Sequence, residues 1–204
     1  MARHANTRKE ETHERIVEAA ARAIRRDGYA GLGVADVMKD AGLTHGGFYA
    51  HFESRDALLV EALERAGRES ADHIARAATQ RAAHGVSPLR ALVDAYLADR
   101  HLVSMDSGCP VAALGSDMPR QSDPVREASA QRVRRLVDRV TQALPEPHRA
   151  AAGVVTGTLV GSLQLARALG NTAEGRAMLA GAREALLRQY DTPSSTATPS
   201  GPAS

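Results

Sequence analysis

Ile16, Val17, Ala20, Ala23 and Ile24 recur at the three- and four-residue spacing that gathers apolar side chains on one helical face, and Gly28 ends the run. Thr7, with Glu10 three residues on, has the form of a capping box and predicts the start of that helix. The same pattern predicts short helices at residues 34 to 41 and 45 to 51, then a long one from about 55 to 83. Gly42-Leu43-Thr44 and Glu53-Ser54 separate them. Beyond His84-Gly85 the helices lengthen, at about 88 to 104, 124 to 144, 147 to 169 and 173 to 190, with a short piece after Gly108. Asp123 before Pro124 reads as a cap followed by proline at the first helical position, Pro147 repeats the device, and Gly170-Asn171 divides the last two helices. Aromatic residues make up only 3% and β-branched residues never alternate, so strands have little to build from and the predicted fold is all-α. Residues 191 to 204, rich in Ser, Thr, Pro and Ala, read as a disordered tail.

Residues 33 to 52 hold the densest chemistry. Val34, Val37, Met38 and Ala41 form the apolar face of one short helix, and Ala41-Gly42 permits a left-handed turn toward a second, capped by Thr44. In that second helix Phe48 and Phe52 face the core, while His45, Gly46, Gly47, Tyr49 and His51 turn small or polar groups outward. Each glycine costs a helix about 1 kcal/mol relative to alanine. Two in succession make sense where the backbone must come close to something.

These residues resemble the tetracycline-repressor (TetR/AcrR) family of bacterial regulators. The resemblance runs from the first helix through Gly28-Tyr29, Ala41-Gly42, Thr44, Gly46, the run Tyr49-Ala50-His51-Phe52 and the run Ser54-Arg55-Asp56-Ala57-Leu58, covering roughly residues 8 to 65. It implies a helix-turn-helix DNA-binding head at residues 1 to 54, and a helical body at 55 to 190 that holds a small-molecule effector and forms a homodimer through its last two long helices. The implied partner is a double-stranded, (pseudo)palindromic DNA operator. The implied activity is repression relieved by the effector. In such a head Thr44, His45, Gly46 and Gly47 lie nearest the base edges, and Tyr49 and His51 anchor phosphates. Arg55 stands where the family usually has a lysine against the DNA backbone, and Arg3, Arg8 and Lys9 are candidates for an arm in an adjacent groove. Two positions depart from the family pattern. Leu32-Gly33 replaces the usual hydroxyl residue at the start of the second helix, and His45 exchanges the fixed charge of a lysine for a titratable imidazole.

Net charge adds no support for DNA binding, because 26 Lys+Arg face 24 Asp+Glu and the two signs are equal within residues 1 to 60. Any basic surface must come from placement. Ala150 to Leu169 is apolar enough to raise a membrane span, but Thr156, Thr158, Ser162, Gln164 and Arg167 argue for a buried interface helix instead. Charges through residues 8 to 15 leave no apolar run for a secretory signal, so the expected location is the cytoplasm.

In the body, Gly153, Gly157 and Gly161 stand four residues apart, a stripe that admits close approach of another helix, either across a dimer or within the subunit. Met178, Leu179, Ala182, Leu186 and Tyr190 form a second apolar stripe, while Arg132, Arg134, Arg135 and Arg139 read as a solvated face. Cys109, just before Pro110, sits at a helix start, where the dipole favours thiolate; it is a candidate oxidant- or electrophile-sensing switch, or else a small apolar group lining the core or pocket.

Enzyme signatures fail one by one. Gly31-Leu32-Gly33 follows a helix and lacks a third glycine, and His13-Glu14 begins a zinc-protease motif that Val17 breaks. No Gly-x-Ser-x-Gly elbow, Walker loop or zinc-ligand pair is present, so no catalytic residue, metal or cofactor is expected. The rival classes are a helical enzyme and a helical module that does not bind DNA.

Overall fold

The computed structural model describes residues 2 to 82 and 84 to 191, the side chains of 2 to 6 and of 82 excepted; the predicted tail lies almost wholly outside them. Among the described residues there are nine α-helices and no strand. They are α1 (Ala2–Gly31), α2 (Val34–Asp40), α3 (Arg55–Ala82), α4 (Pro88–Tyr96), α5 (Asp99–Val103), α6 (Pro110–Leu114), α7 (Asp123–Ala143), α8 (Ala152–Leu169) and α9 (Ala173–Tyr190). A 3-10 helix, His45–Ala50, lies between α2 and α3.

Helix α1 begins ahead of Thr7, which therefore lies inside the helix and is not its cap. Gly28, at φ 75, breaks the helix where its apolar run ends, and the turn beyond it carries Tyr29 into the core. Arg8 and Lys9 are exposed on the first turns of α1 and form no extended arm; the side chain of Arg3 is outside the described residues.

Residues 88 to 104 form two helices instead of the single one expected. Two carbonyls that would continue α4 are taken by side chains: His101 Nδ1 lies 2.7 Å from the Tyr96 oxygen, and Arg183 Nη2 donates to the Leu97 oxygen at 2.7 Å. The chain turns at Leu97-Ala98 and restarts as α5. Two starts also shift: Ser122 is the residue before α7, with Asp123 paired to Arg126 at 2.9 Å, and Pro147 is the second residue of a 3-10 turn, Glu146–Ala151, ahead of α8. Helices α8 and α9 make a hairpin across Gly170, at φ 78, and the Thr172 hydroxyl accepts from the Gly175 N–H to cap α9.

One continuous cluster of buried apolar side chains runs from Ile16 to Tyr190, so head and body share a core. Helix α3 serves both. Arg25 of α1, only 3% exposed, donates to the Ala66 carbonyl and to Glu69 at 2.8 Å. Two surface expectations are corrected here. Arg134 is exposed and paired with Glu127, but Arg132 is buried against Glu64, a partner supplied by α3. On α9, Leu179, Leu186 and Tyr190 are buried within their own chain, so that stripe faces inward and only Met178 of its large residues stands out.

Candidate nucleic-acid interface

Val37 and Met38 anchor α2 in the core, and Gly42, at φ 73, turns the chain so that the His45–Ala50 segment lies across its end. Arg15 of α1 fixes the turn by donating to the Ala41 carbonyl at 2.8 Å. Thr44 occupies the capping position with extended backbone, although its side chain makes no capping bond. Phe48 and Phe52 are 2% and 3% exposed and stack with ring centroids 5.5 Å apart, which holds the segment from behind.

The outer surface is nearly bare backbone. Thr44, His45 and Gly46 are exposed, and a side chain added at Gly46 would meet nothing within 4 Å. Gly47 is half-buried, its inner side resting near the methyl of Met38. Tyr49 is 75% exposed, with its ring edge against Phe48 at 5.2 Å. A polar hydroxyl is thereby held outward on an aromatic base. The segment presents a close-approach surface of backbone flanked by two donors, His45 and Tyr49.

His51 is half-buried at the edge of this surface. Its Nδ1 is buried without a hydrogen-bond partner, and burial, with the neighbouring charges of His13 and Lys9, holds its imidazole below the usual histidine range. A phosphate brought to this ring would act in the opposite direction. Behind it, His13 stacks on Phe52 at 4.5 Å and reaches Glu61 of α3 at 2.7 Å. The Arg15 and His13 contacts are not legible in the sequence, where only a broken zinc motif draws attention to His13.

Arg55 is placed differently from the expectation. Its Nη2 donates to the Tyr29 carbonyl and, at 3.5 Å, to that of Leu32. The guanidinium thus joins the first turn of α3 to the end of α1 and positions the head, instead of standing free toward a phosphate. Gly33 precedes α2 with no side-chain cap, as the departure at that position implies.

In the body, Cys109 is the residue before α6, as expected, but it is 4% exposed. Its N–H donates to His101 Nε2 at 2.9 Å, while the ring's other nitrogen faces the Tyr96 carbonyl. Both ring nitrogens are satisfied only in a neutral imidazole protonated at Nδ1. Burial, with the nearby charge of Arg167, lowers the His101 pKa to about 4 against the opposing bond to Tyr96. The fully buried Tyr96 hydroxyl has no nitrogen or oxygen partner and lies against Cys109; desolvation first, then the thiol, raises its pKa well above the ordinary phenol value. Gly108 is needed here, because a Cβ would come within 2.9 Å of both His101 Nε2 and the Ser104 carbonyl. Cys109 also lines a cavity of about 240 Å³ between α3, α6 and α7.

Residues 16–62 match the model of the tetR family of bacterial regulatory proteins, and residues 85–182 match that of the tetracyclin repressor-like C-terminal domain. A helix-turn-helix-type transcriptional regulator of Mycobacterium tuberculosis is 34% identical over 169 residues, covering 76% of this chain and 83% of that one. TtgR, a transcriptional regulator of Pseudomonas putida, is 42% identical over 77 residues, 38% of this chain and 36% of its own. The crystal structure of a TetR regulator from Chloroflexus aurantiacus superposes with a TM-score of 0.71 over 90% of this chain and 97% of that one, at 21% identity.

Proposed function

The chain belongs to the tetracycline-repressor family and is a DNA-binding transcriptional regulator, and on that premise we propose that it acts as a homodimeric repressor, released from its operator by a small molecule held in the helical body. The observation that carries the DNA reading is the His45–Ala50 segment, a glycine-floored surface with nothing of its own chain in front of it. Set in a major groove, Thr44, His45, Gly46 and Gly47 approach base edges, while the Tyr49 hydroxyl and His51 Nε2 meet phosphates. Arg15 and Arg55 position the segment through the carbonyls they hold.

Support for the dimer comes from α8. The segment Glu146–Leu169 is long and apolar enough to cross a membrane, yet only 33% of an 18-residue apolar stretch within it is buried in the chain. A Cβ added at Gly153, Gly157 or Gly161 would meet nothing beyond its own helix within 4 Å, and Val154 and Leu165 are 65% and 57% exposed. The stripe therefore faces away from its own subunit, a surface suited to a second copy. Pairing two heads there gives half-sites related by two-fold symmetry.

Release follows if the effector binds the DNA-incompetent arrangement more tightly, since equal affinity for both shifts nothing. The Arg25 and Tyr29 contacts of α1 to α3 and α7 support a direct mechanical route from body to head. Sequencing of fragments captured by the purified protein from random duplexes tests the reading. It predicts enrichment of an inverted repeat; a protein that enriches no sequence contradicts it.

A further inference from the structure

Among the residues lining the 240 Å³ cavity are four arginines, Arg68 of α3 and Arg132, Arg135 and Arg139 of α7. The three on α7 stand three and four residues apart and so share one helical face. A single carboxylate serves most of them: Glu64 accepts from Arg132 at 3.2 Å and from Arg135 at 3.1 Å, and lies 4.0 Å from Arg68. Arg139 has no ion pair among the described residues, and the one acid in the cavity wall, Asp72, is exposed. Positive charge therefore exceeds negative around this space.

Arg132 is the unusual member. It is 6% exposed, and its Nε is buried with no hydrogen-bond partner. A buried guanidinium left short of acceptors is costly, and folded chains generally satisfy such groups. Gly67 makes room for it: a Cβ there would stand 2.7 Å from Arg132 Cδ. Burial, along with repulsion from Arg135, Arg68 and Arg139, holds its pKa below the ordinary arginine value against the pull of Glu64.

Apart from Ser70 and Asp72, the rest of the wall is largely apolar. Ile74, Val111 and Leu136 line the same cavity, and Ile74 and Arg139 are shared with an adjoining groove of about 410 Å³ walled by Pro88, Leu92 and Ala143. Cationic and apolar surfaces thus meet at Arg139. We infer that this joined space binds an organic carboxylate with an apolar tail, its head group on the arginines of α7 and its tail along the groove. The inference rests on the reading of the body as the effector-binding part and gives that effector a chemical class. It also suits the route to the head, since Arg132 packs on Gly67, one residue from the Ala66 carbonyl that Arg25 holds.

Calorimetric titration of the full-length protein without DNA, using octanoate, octanamide and inorganic phosphate as probes, tests it. Octanoate is expected to bind at least tenfold more tightly than octanamide, and phosphate at equal concentration should not displace it. Arg135→Gln and Arg139→Gln are each expected to weaken octanoate several-fold while leaving octanamide unchanged; both side chains are partly exposed, so the fold should tolerate them. Gly67→Ala, which dislodges Arg132, should weaken octanoate in the same way, with circular dichroism confirming the fold. Equal binding of octanoate and octanamide, full competition by phosphate, or affinity untouched by both glutamine variants overturns the inference. Octanoate that binds as expected but leaves operator bound would instead count against release by this site, and DNA selection, run without any probe, tests the regulatory reading independently.

Discussion

The hydroxyl of Tyr29, at the end of α1, lies 3.0 Å from that of Ser129 in α7, and both residues are buried. Ser129 spends its own proton on the Val125 carbonyl at 2.7 Å, so Tyr29 is the donor. This bond ties the head to the helix that carries the arginine cluster. Tyr29→Phe and Ser129→Ala should show a coupling of about 0.5 to 1.5 kcal/mol in a double-mutant cycle. Urea unfolding of the four proteins measures it, and strictly additive losses would remove the link.

The outward stripe on α8 predicts an unusual split between subunit and dimer stability. Leucine is a better helix former than glycine by about 1 kcal/mol, and Gly157 has open space in its own chain, so Gly157→Leu should leave the isolated subunit at least as stable. Across a close helix crossing it should cost the dimer about 1 to 3 kcal/mol through overpacking. Sedimentation equilibrium reads that shift. A wild-type protein that stays monomeric at micromolar concentration contradicts the dimer.

His101 gives the fold an acid limit. Its folded pKa of about 4 lies below the reference histidine value of 6.5, so below pH 6.5 the unfolded chain takes up a proton that the folded chain refuses. The stabilisation is full above that value and is lost as pH falls toward 4, about 3 kcal/mol in all. Chemical denaturation from pH 7 to pH 4.5 should show the slope, and His101→Asn should flatten it. Equal slopes in both proteins would contradict a neutral, buried ring.

Most of the helical frame was legible in the sequence because periodicity, glycines and caps are local signals. Gly28, Gly42 and Gly170 turn the chain where the pattern broke, and Phe48 and Phe52 face inward as their spacing predicts. What escaped depends on partners far away in the chain. The break at Leu97-Ala98 needs Arg183 from α9, and the burial of Arg132 needs Glu64 and the space beside Gly67 from α3. In the head, the outward residues of the His45–Ala50 segment were legible, whereas nothing local marks the hold of Arg55 on the Tyr29 carbonyl, and the family pattern directs it to the DNA backbone instead.

Burial of Cys109 favours a reversible pocket over a sensing thiol. Its alkylation by iodoacetamide in the folded protein should run at least tenfold slower than in urea, as followed by mass spectrometry. Cys109→Ser should retain DNA binding. An electrophile that releases the wild type from DNA but not this variant would make the thiol the switch.

Recognition by the His45–Ala50 segment is tested most directly by fluorescence anisotropy on the selected operator and a scrambled duplex, comparing wild type with Tyr49→Phe, His51→Ala and His45→Ala. Phosphate contacts carry no sequence information, so the first two variants should weaken both duplexes by a similar factor, whereas His45→Ala should narrow or redirect the preference between them. Folded variants that all bind both duplexes with wild-type affinity would contradict the assignment.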